Sequence, residues 1–227
     1  MKILPLLNAL IFLNSTTFSG ILYAQTYSFD FNAKPSAKSK AVKPDAIYTA
    51  DTGYGFENGA QILSTRTGIS SNRPFLFSVA VPEGNYRVKV TLGDADDASE
   101  TTVKAEARRL MLEKVSTQKG ERTERSFVVN VRRPAIAGGG EVKLKPRETI
   151  EEQFTWDEKL TLELNGAHPS LEAIEIKRVD NTPTLYFLGD STVPDQPGET
   201  YASWGQMLPR FFQPDVAVAN HAESGES

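Results

Sequence analysis

The sequence predicts an antiparallel β-sandwich followed by the beginning of a parallel α/β domain. Between Tyr27 and Val179, apolar and polar residues alternate in short runs, a pattern that places one face of each strand on a core and the other in water. After Thr182-Pro183 the pattern changes to continuous apolar runs on either side of a helical segment, as in a strand–helix–strand unit. We expect the sandwich to span residues 25–181 and the α/β segment to span residues 182–227.

The first 24 residues have the pattern of a secretory signal peptide. Lys2 supplies a short positive region, residues 3–18 are mostly apolar, and Ala24 places a small residue at the expected cleavage site. The uninterrupted apolar run is shorter than the ~20 residues that a transmembrane helix needs. We therefore expect cleavage after Ala24, no stable membrane insertion afterwards, and a secreted or periplasmic protein.

The composition limits the classes of partner and of chemistry. With 25 Lys and Arg against 29 Asp and Glu, the formal net charge is -4 at pH 7. This argues against nucleic acid as a partner, because proteins that bind it carry a clustered basic face. The chain has no cysteine, which excludes a disulfide framework, a thiol nucleophile and a cysteine-based zinc site.

Five alternating runs predict the strands of the sandwich. They are Tyr27–Phe31, Tyr86–Leu92, Phe127–Val131, Leu160–Leu164 and Ala173–Lys177. Turn signals such as Gly138-Gly139-Gly140 and Asn165-Gly166 separate them. The composition of Val103–Val115 would suit a helix, but its flanks suit a long strand, and we expect a strand there.

The segment after Pro183 predicts two buried strands and a helix. Thr184–Leu188 is a continuous apolar run, as expected for a strand that is buried on both faces. Val216–Ala219 predicts a second buried strand. Between them, the apolar residues of Trp204–Phe212 fall at helical spacing, and Pro214 is expected to end that helix.

The first of these strands ends in the turn Gly189-Asp190-Ser191-Thr192. A glycine turn that presents a serine after a strand is one way in which α/β hydrolytic enzymes expose a nucleophile. Gly-Asp-Ser alone is also an ordinary turn sequence, so its context decides its meaning. That context continues with Ser203-Trp204-Gly205-Gln206 and reaches Asn220-His221-Ala222-Glu223-Ser224-Gly225.

This order of motifs resembles the start of SGNH (GDSL-type) hydrolases, and within them the rhamnogalacturonan acetylesterase-like branch. The resemblance covers only residues 184–227. It implies a flavodoxin-like three-layer α/β domain in which Ser191 is the nucleophile and Asp190 supports the site. It also implies that the backbone N–H groups of Ser191 and Gly225 form an oxyanion hole. Glu226 stands where many members have arginine, which we interpret as variation between subfamilies.

The later motifs of the family are not found in residues 1–227. The resemblance implies an Asn donor and an Asp-x-x-His block, which supplies the base and its orienting carboxylate, and the sequence contains no such block. We therefore expect the chain to be a fragment, and any activity to belong to its full-length parent. The resemblance implies no metal ion and no organic cofactor.

The two histidines have plainer interpretations. His221 lies close to Gly225 and could be imagined as the base. The base of the family comes from near the end of the domain, however, so we expect a structural or substrate-facing role for His221. His168 falls in a turn between strands and is expected at the surface.

Two further groups of residues have a functional and a structural interpretation. The run Asp94-Ala95-Asp96-Asp97 could form part of a calcium site, but the spacing of an EF-hand and its bidentate glutamate are missing, which favours a solvated loop. Four aromatic residues could stack on sugar rings: Tyr48, Tyr54, Phe56 and Trp156. Aromatic residues in strands more often belong to a core.

The region Tyr27–Val179 resembles the galactose-binding-like sandwiches that precede catalytic domains in exported polysaccharide enzymes, chiefly through Gly53-Tyr54-Gly55-Phe56. This resemblance implies a domain that holds a pectin-type polymer or that supports the esterase. Together with the signal-like first 24 residues, the two resemblances imply an exported serine esterase that removes acetyl groups from acetylated pectic polysaccharide such as rhamnogalacturonan. Two alternatives stay open: a non-catalytic carbohydrate-binding protein with a vestigial hydrolase segment, and an esterase for another acyl substrate.

Overall fold

The computed structural model describes residues 25–106, 108–150, 153–198 and 200–225. The expected signal peptide and Glu226 lie outside these residues. The described chain is rich in β-strands, as predicted, and its strands in chain order are β1 (Thr26–Asp30), β2 (Lys40–Ala41), β3 (Tyr54–Phe56), β4 (Leu63–Ser64), β5 (Ile69–Ser70), β6 (Phe75–Ala80), β7 (Gly84–Gly93), β8 (Ser99–Ala105), β9 (Arg109–Thr117), β10 (Arg122–Val131), β11 (Lys159–Asn165), β12 (Ser170–Leu171), β13 (Ala173–Arg178), β14 (Thr184–Phe187) and β15 (Ala217–Asn220).

Two five-stranded sheets form the main body. The first has the strand order β10-β7-β13-β1-β2 and the second the order β3-β6-β11-β8-β9. Neighbours pair antiparallel except β1 and β2, which pair parallel. A third sheet has the order β12-β5-β4, and β12 contacts both β7 and β8. A short helix, α1 (Pro146–Ile150), lies between β10 and β11 in the chain.

The main core lies between the two large sheets. Every second residue of β7 from Tyr86 to Leu92 is fully buried and the residues between them are partly exposed, which agrees with the period of two in the sequence. Phe29 of the first sheet meets Phe77 of the second with a distance of 5.4 Å between ring centroids. One continuous cluster of apolar side chains therefore joins the two sheets.

The segment 103–115 forms a hairpin rather than one long strand. β8 ends at Ala105 and β9 begins at Arg109. Glu106 and Arg108 have φ angles of 55° and 66° and turn the chain between the strands. The expectation of strand structure is confirmed, but its continuity was wrong, because these turn residues are neither glycine nor proline and give no sequence signal.

The segment after Pro183 forms a two-stranded parallel sheet with a helical connection. β14 and β15 pair from Thr184 with Ala217 to Phe187 with Asn220. Between them lie α2 (Trp204–Met207) and a 3₁₀ turn (Leu208–Phe211). The Ser203 hydroxyl caps α2 by accepting from the backbone N–H of Gln206 at 3.3 Å. A complete three-layer α/β domain is not seen in the described residues.

Burial differs between the two strands of this small sheet. β15 is buried along its length, as expected, and contacts β10 of the first large sheet. In β14, however, Leu185 is 39% and Tyr186 67% exposed, so the expectation of burial on both faces was wrong for this strand. The physical reason is that β15 is its one paired neighbour among the residues described.

The helix after Ser203 is also shorter than the spacing predicts. The α-helical turn ends at Met207, and Pro209 belongs to the 3₁₀ turn that follows. Because proline has no N–H to donate to the carbonyl four residues earlier, it favours this early end. Trp204 and Phe211 are largely exposed rather than packed in a core. Across the ranges given above, no helix combines the length and apolar character of a membrane-crossing segment.

Candidate active site

Ser191 lies in a tight turn directly after β14. Gly189 has a φ of +154°, which favours glycine, and a Cβ atom there would approach Val193 Cγ2 to 2.8 Å. Asp190 Oδ1 accepts hydrogen bonds from the backbone N–H and the hydroxyl of Thr192 at 3.0 and 2.9 Å. The turn leaves Ser191 exposed to solvent.

Asp190 stabilises this turn in its charged form. The hydrogen bond from the backbone N–H of Thr192, together with that from its hydroxyl, lowers the pKa of the Asp190 carboxyl. Since both donors belong to the turn itself, the carboxylate acts here on local backbone geometry.

The chain that follows β15 runs beside the Ser191 turn. The backbone N–H of His221 donates to the Phe187 carbonyl at 2.8 Å, and that of Glu223 donates to the Gly189 carbonyl at 3.1 Å. The parallel pairing therefore continues past the ends of the two strands. Gly225 lies two residues beyond Glu223, with a φ of +86°. The loop with Ser191 and the loop that leads to Gly225 are thus adjacent.

A cavity of about 520 Å³ opens between these two loops. Ser191, Gln196 and Tyr201 line it from the connection after β14, Ser224 lines it from the loop after β15, and Arg147 lines it from α1. Gln196 Nε2 donates to the Ser191 carbonyl at 3.3 Å and to Ser224 Oγ at 3.4 Å. One amide side chain therefore links the two walls of the cavity. Gln196 carries no local sequence signal, because its contacts depend on where the loop after β15 lies.

Asn220, at the end of β15, is hydrogen-bonded to the segment between β14 and α2 (residues 188–203), which we call the Ser191 connection. Asn220 is 1% exposed, and its Nδ2 donates to the Val193 carbonyl at 2.8 Å and to Asp195 Oδ1 at 3.0 Å. Because both hydrogens of one amide are used on the Ser191 connection, β15 and that connection are fixed to each other.

Asp195 also belongs to a buried cluster of charged residues. Its Oδ2 lies 3.1 Å from Nε of Arg109, at the start of β9, and Glu106 Oε2 lies 3.8 Å from Nη2 of the same guanidinium. Burial raises the pKa of Asp195, whereas Arg109 and Arg132 lower it. Burial also raises the pKa of Glu106 well above its usual range. The sequence carries no signal for this cluster, because Asp195 lies far along the chain from Glu106 and Arg109.

The surroundings of His221 disfavour its protonated form, which a catalytic base must be able to adopt. Its ring contacts those of Trp156 and Tyr186, with 5.6 and 5.8 Å between ring centroids. Burial, together with the cations Arg132 and Arg109, lowers its pKa to about 4. A base in a serine triad is instead supported by a carboxylate that stabilises the imidazolium. These contacts favour the structural interpretation of His221.

The other histidine, His168, contacts the acidic run Asp94-Ala95-Asp96-Asp97. His168 lies in a turn, with a φ of 58°, and its Nε2 is 2.9 Å from Asp94 Oδ2. Asp96 and Asp97 are exposed, as expected for a solvated loop, but Asp94 is 1% exposed and departs from that expectation. Its carboxylate faces inward, where the Asp96 backbone N–H and the His168 ring contact it. The described part of the chain contains no cluster of His, Asp and Glu suited to a metal ion.

The four aromatic residues have different surroundings. Phe56 is fully buried, and Tyr54 packs against Phe29 of the core with 5.1 Å between ring centroids. Lys159 Nζ lies 4.8 Å from the ring centre of Tyr48. The Trp156 ring lies 4.4 Å from the Arg132 guanidinium. The core interpretation therefore fits Phe56. Tyr54 packs on the core but also has Lys40 Nζ 4.5 Å from its ring centre, so three of the four rings contact cations.

Comparison with known proteins gives a curated relative that is named as an uncharacterized esterase. No family model matches the chain. The uncharacterized esterase YxiM of Bacillus subtilis (strain 168) is 29% identical over 224 residues, which cover 89% of this chain and 52% of YxiM. The chain thus spans about half the length of that relative.

Two of the similar solved structures have TM-scores below 0.5. The crystal structure of the Bacillus subtilis YxiM protein has 25% identity and a TM-score of 0.48, covering 89% of this chain and 56% of that chain. A family two carbohydrate esterase from Cellvibrio japonicus has 8% identity and a TM-score of 0.27, covering 90% of this chain and 54% of that chain.

Proposed function

We propose that the chain belongs to an exported serine esterase that removes acetyl groups from an acetylated pectic polysaccharide such as rhamnogalacturonan. The observation that carries the proposal is the exposed Ser191, in a tight turn after β14, on the wall of a cavity that the loop after β15 also lines. The similarity to the esterase YxiM supports ester hydrolysis as the class of reaction.

In the proposed reaction, Ser191 Oγ attacks the acetyl carbonyl carbon and negative charge develops on the carbonyl oxygen. The backbone N–H groups of Ser191 and Gly225 donate hydrogen bonds to that oxygen and stabilise it. The sugar hydroxyl leaves with a proton from the base, and water then hydrolyses the acetyl-serine to acetate.

The proposed base comes from the Asp-x-x-His block that the SGNH resemblance implies, and not from His221. A histidine with a pKa of about 4 accepts a proton weakly near neutral pH. The cations Arg132 and Arg109 also oppose the imidazolium that forms when a base takes up the proton. Residues 1–227 contain no Asp-x-x-His block, so the proposal concerns a longer chain that carries one.

The pectic substrate follows from the family resemblance, and export from the signal-like pattern of the first 24 residues. Tyr201 supports a sugar substrate, since it lines the cavity and is 69% exposed. A tyrosine presents a broad apolar face and a hydroxyl that can accept or donate a hydrogen bond, and a pyranose ring offers both complementary features.

The proposal predicts that Ser191→Ala abolishes acetate release from acetylated pectin by the protein expressed from its complete reading frame. The hydroxyl is the attacking group, so its loss removes the covalent step. Acetate is measured in the reaction supernatant. Ser116→Ala is the matched control, because Ser116 is an exposed residue of β9, and it should retain full activity.

Two results would contradict the proposal. Retained activity in Ser191→Ala would exclude Ser191 as the nucleophile. A wild-type protein that binds acetylated pectin but releases no acetate would instead favour the alternative of a carbohydrate-binding protein without catalysis.

A further inference from the structure

A buried arginine of the sandwich fixes the connection that follows Ser191. Arg109 is 2% exposed and Asp195 is 3% exposed, and Arg109 Nε lies 3.1 Å from Asp195 Oδ2. The two Nη atoms of the same guanidinium donate to the carbonyls of Val218 in β15, at 2.8 Å, and Asn130 in β10, at 3.1 Å. Arg109 therefore ties together both large sheets, the small parallel sheet and the Ser191 connection.

The preceding residue makes a second attachment to the same connection. Arg108 Nη1 donates to the carbonyl of Gln196 at 3.2 Å and to the carbonyl of Gly198. Gln196 in turn donates through its side chain to the carbonyl of Ser191. The turn between β8 and β9 is thus joined to the nucleophile turn through one intermediate residue.

The loop on the other side of the cavity is held by the sandwich as well. Arg147 of α1 forms an ion pair with Glu223, and Lys145 Nζ lies 4.0 Å from the same carboxylate. Lys145 also donates to the carbonyl of Ser224 at 3.4 Å. Glu223 is 8% exposed, so these two cations face a carboxylate that is largely removed from water.

The Arg109–Asp195 contact differs from an ordinary surface ion pair, because both side chains are 2% exposed. Exposed pairs are screened by water and contribute little, whereas a buried charge that loses its partner carries a large desolvation penalty. If the Ser191 connection moved away, Arg109 and Asp195 would each lose a buried partner. The position of the connection is therefore coupled to the sandwich.

We propose that four basic residues of the sandwich region, namely Arg108, Arg109, Lys145 and Arg147, position both loops of the active site, so that the sandwich is an integral part of the catalytic unit. They are positioning residues, because they act on the substrate through Asp195, Gln196, Glu223 and Ser224. The inference rests on the proposed function, since it assigns these residues a role in the reaction of Ser191.

The test measures kcat and KM for acetate release by the full-length protein carrying Asp195→Asn, Arg109→Met or Glu223→Gln. Each variant removes one charge and keeps most of the side-chain volume. We expect kcat per folded molecule to fall roughly 10- to 100-fold with KM nearly unchanged, because a small displacement of a reacting group has effects of this order. Near-ultraviolet circular dichroism reports whether the sandwich core is retained.

Arg133→Met is the matched control. Arg133 is also a sandwich arginine, but it is half exposed and pairs with Glu83 and Glu158, and its replacement should leave kcat unchanged. Wild-type kcat in folded Asp195→Asn and Arg109→Met would overturn the inference. If Arg109→Met does not fold, the isosteric Asp195→Asn decides the question alone.

The same series separates this inference from the proposed function. Activity that survives Ser191→Ala would mean that the proposed nucleophile is wrong. An inactive Ser191→Ala, together with wild-type kcat in the three charge variants, would leave the proposed function standing and reject only the positioning role.

Discussion

The two histidines show how individual side chains of the same type acquire different chemistry. His168 faces the carboxylate of Asp94. His221 packs against two aromatic rings, and the cations Arg132 and Arg109 lower its pKa. Burial and cations both disfavour a proton on His221, so this residue is neutral in the folded protein near pH 7.

This gives a prediction for the pH dependence of stability. The unfolded chain protonates His221 near pH 6.5 and the folded chain only near pH 4. The unfolded state therefore binds more protons between these values, and the free energy of unfolding falls as pH falls from about 6.5 to about 4. His221→Gln should remove this part of the pH dependence in urea unfolding experiments.

A direct measurement is the NMR titration of the His221 ring. Its chemical shifts should change with a midpoint near pH 4. A midpoint near 6.5, the value of an unperturbed histidine, would contradict the packing described for this residue.

Single residues also mark the limit of what the sequence predicts about the site. The turn at Ser191 is detectable because glycine, aspartate and serine follow an apolar run in a fixed local order. Asp195 and Arg109 have no such signal, because a buried ion pair between distant residues is created by the fold that brings their backbones together. The same holds for Gln196, whose contacts span two loops.

At the scale of the elements, α2 packs very closely against the connection that follows Ser191. A Cβ atom on Gly205 would lie 2.2 Å from the Val193 carbonyl oxygen and 3.1 Å from Asn220 Nδ2. The first of these distances is to backbone, which cannot rotate away. Glycine at position 205 therefore sets how closely the helix approaches this connection.

Gly205→Ala should therefore destabilise the protein by about 1–3 kcal/mol, the usual cost of overpacking. The measurement is the change in free energy of unfolding in urea. Gly198→Ala is the matched control, because a Cβ atom there would have no neighbour within 4 Å, and it should change stability little. Equal stability of the two variants would show that α2 does not pack as described.

Between Thr184 and Asn220, the sequence predicts the types of the secondary-structure elements but not their lengths or their burial. Continuous apolar runs correctly indicate β14 and β15, and helical spacing indicates α2. The burial of a strand depends on what covers it, however, and Leu185 and Tyr186 remain exposed while β15 is covered by β10. The helix likewise ends early at Pro209, although the apolar spacing continues beyond it.

At the scale of the whole molecule, the alternation of residues predicts the two large sheets because each has one buried face. The order of strands is not encoded in the same way. β13 lies between β1 and β7, and β11 between β6 and β8, so most neighbours are distant in sequence. Pairing of this kind depends on the packing of the complete core, in which Phe29 and Phe77 join the sheets.

The same organisation explains how a β-rich body supports a small parallel sheet. β15 contacts β10, and Arg109 at the start of β9 reaches both β15 and the Ser191 connection. The candidate site therefore depends on the rigidity of the sandwich as well as on its own turn. In this account, residues of the first 150 positions help to position Ser191, the proposed nucleophile, together with Asn220 and Gln196.

The most direct test of the central claim is mass spectrometry of the full-length protein, quenched in acid during the hydrolysis of an acetyl ester. Because a serine esterase passes through a covalent acetyl-enzyme, the account predicts an acetyl group on the peptide that contains Ser191, located at that residue by fragmentation. Ester hydrolysis with Ser191 unmodified, or with the acetyl group on another residue instead, would contradict it.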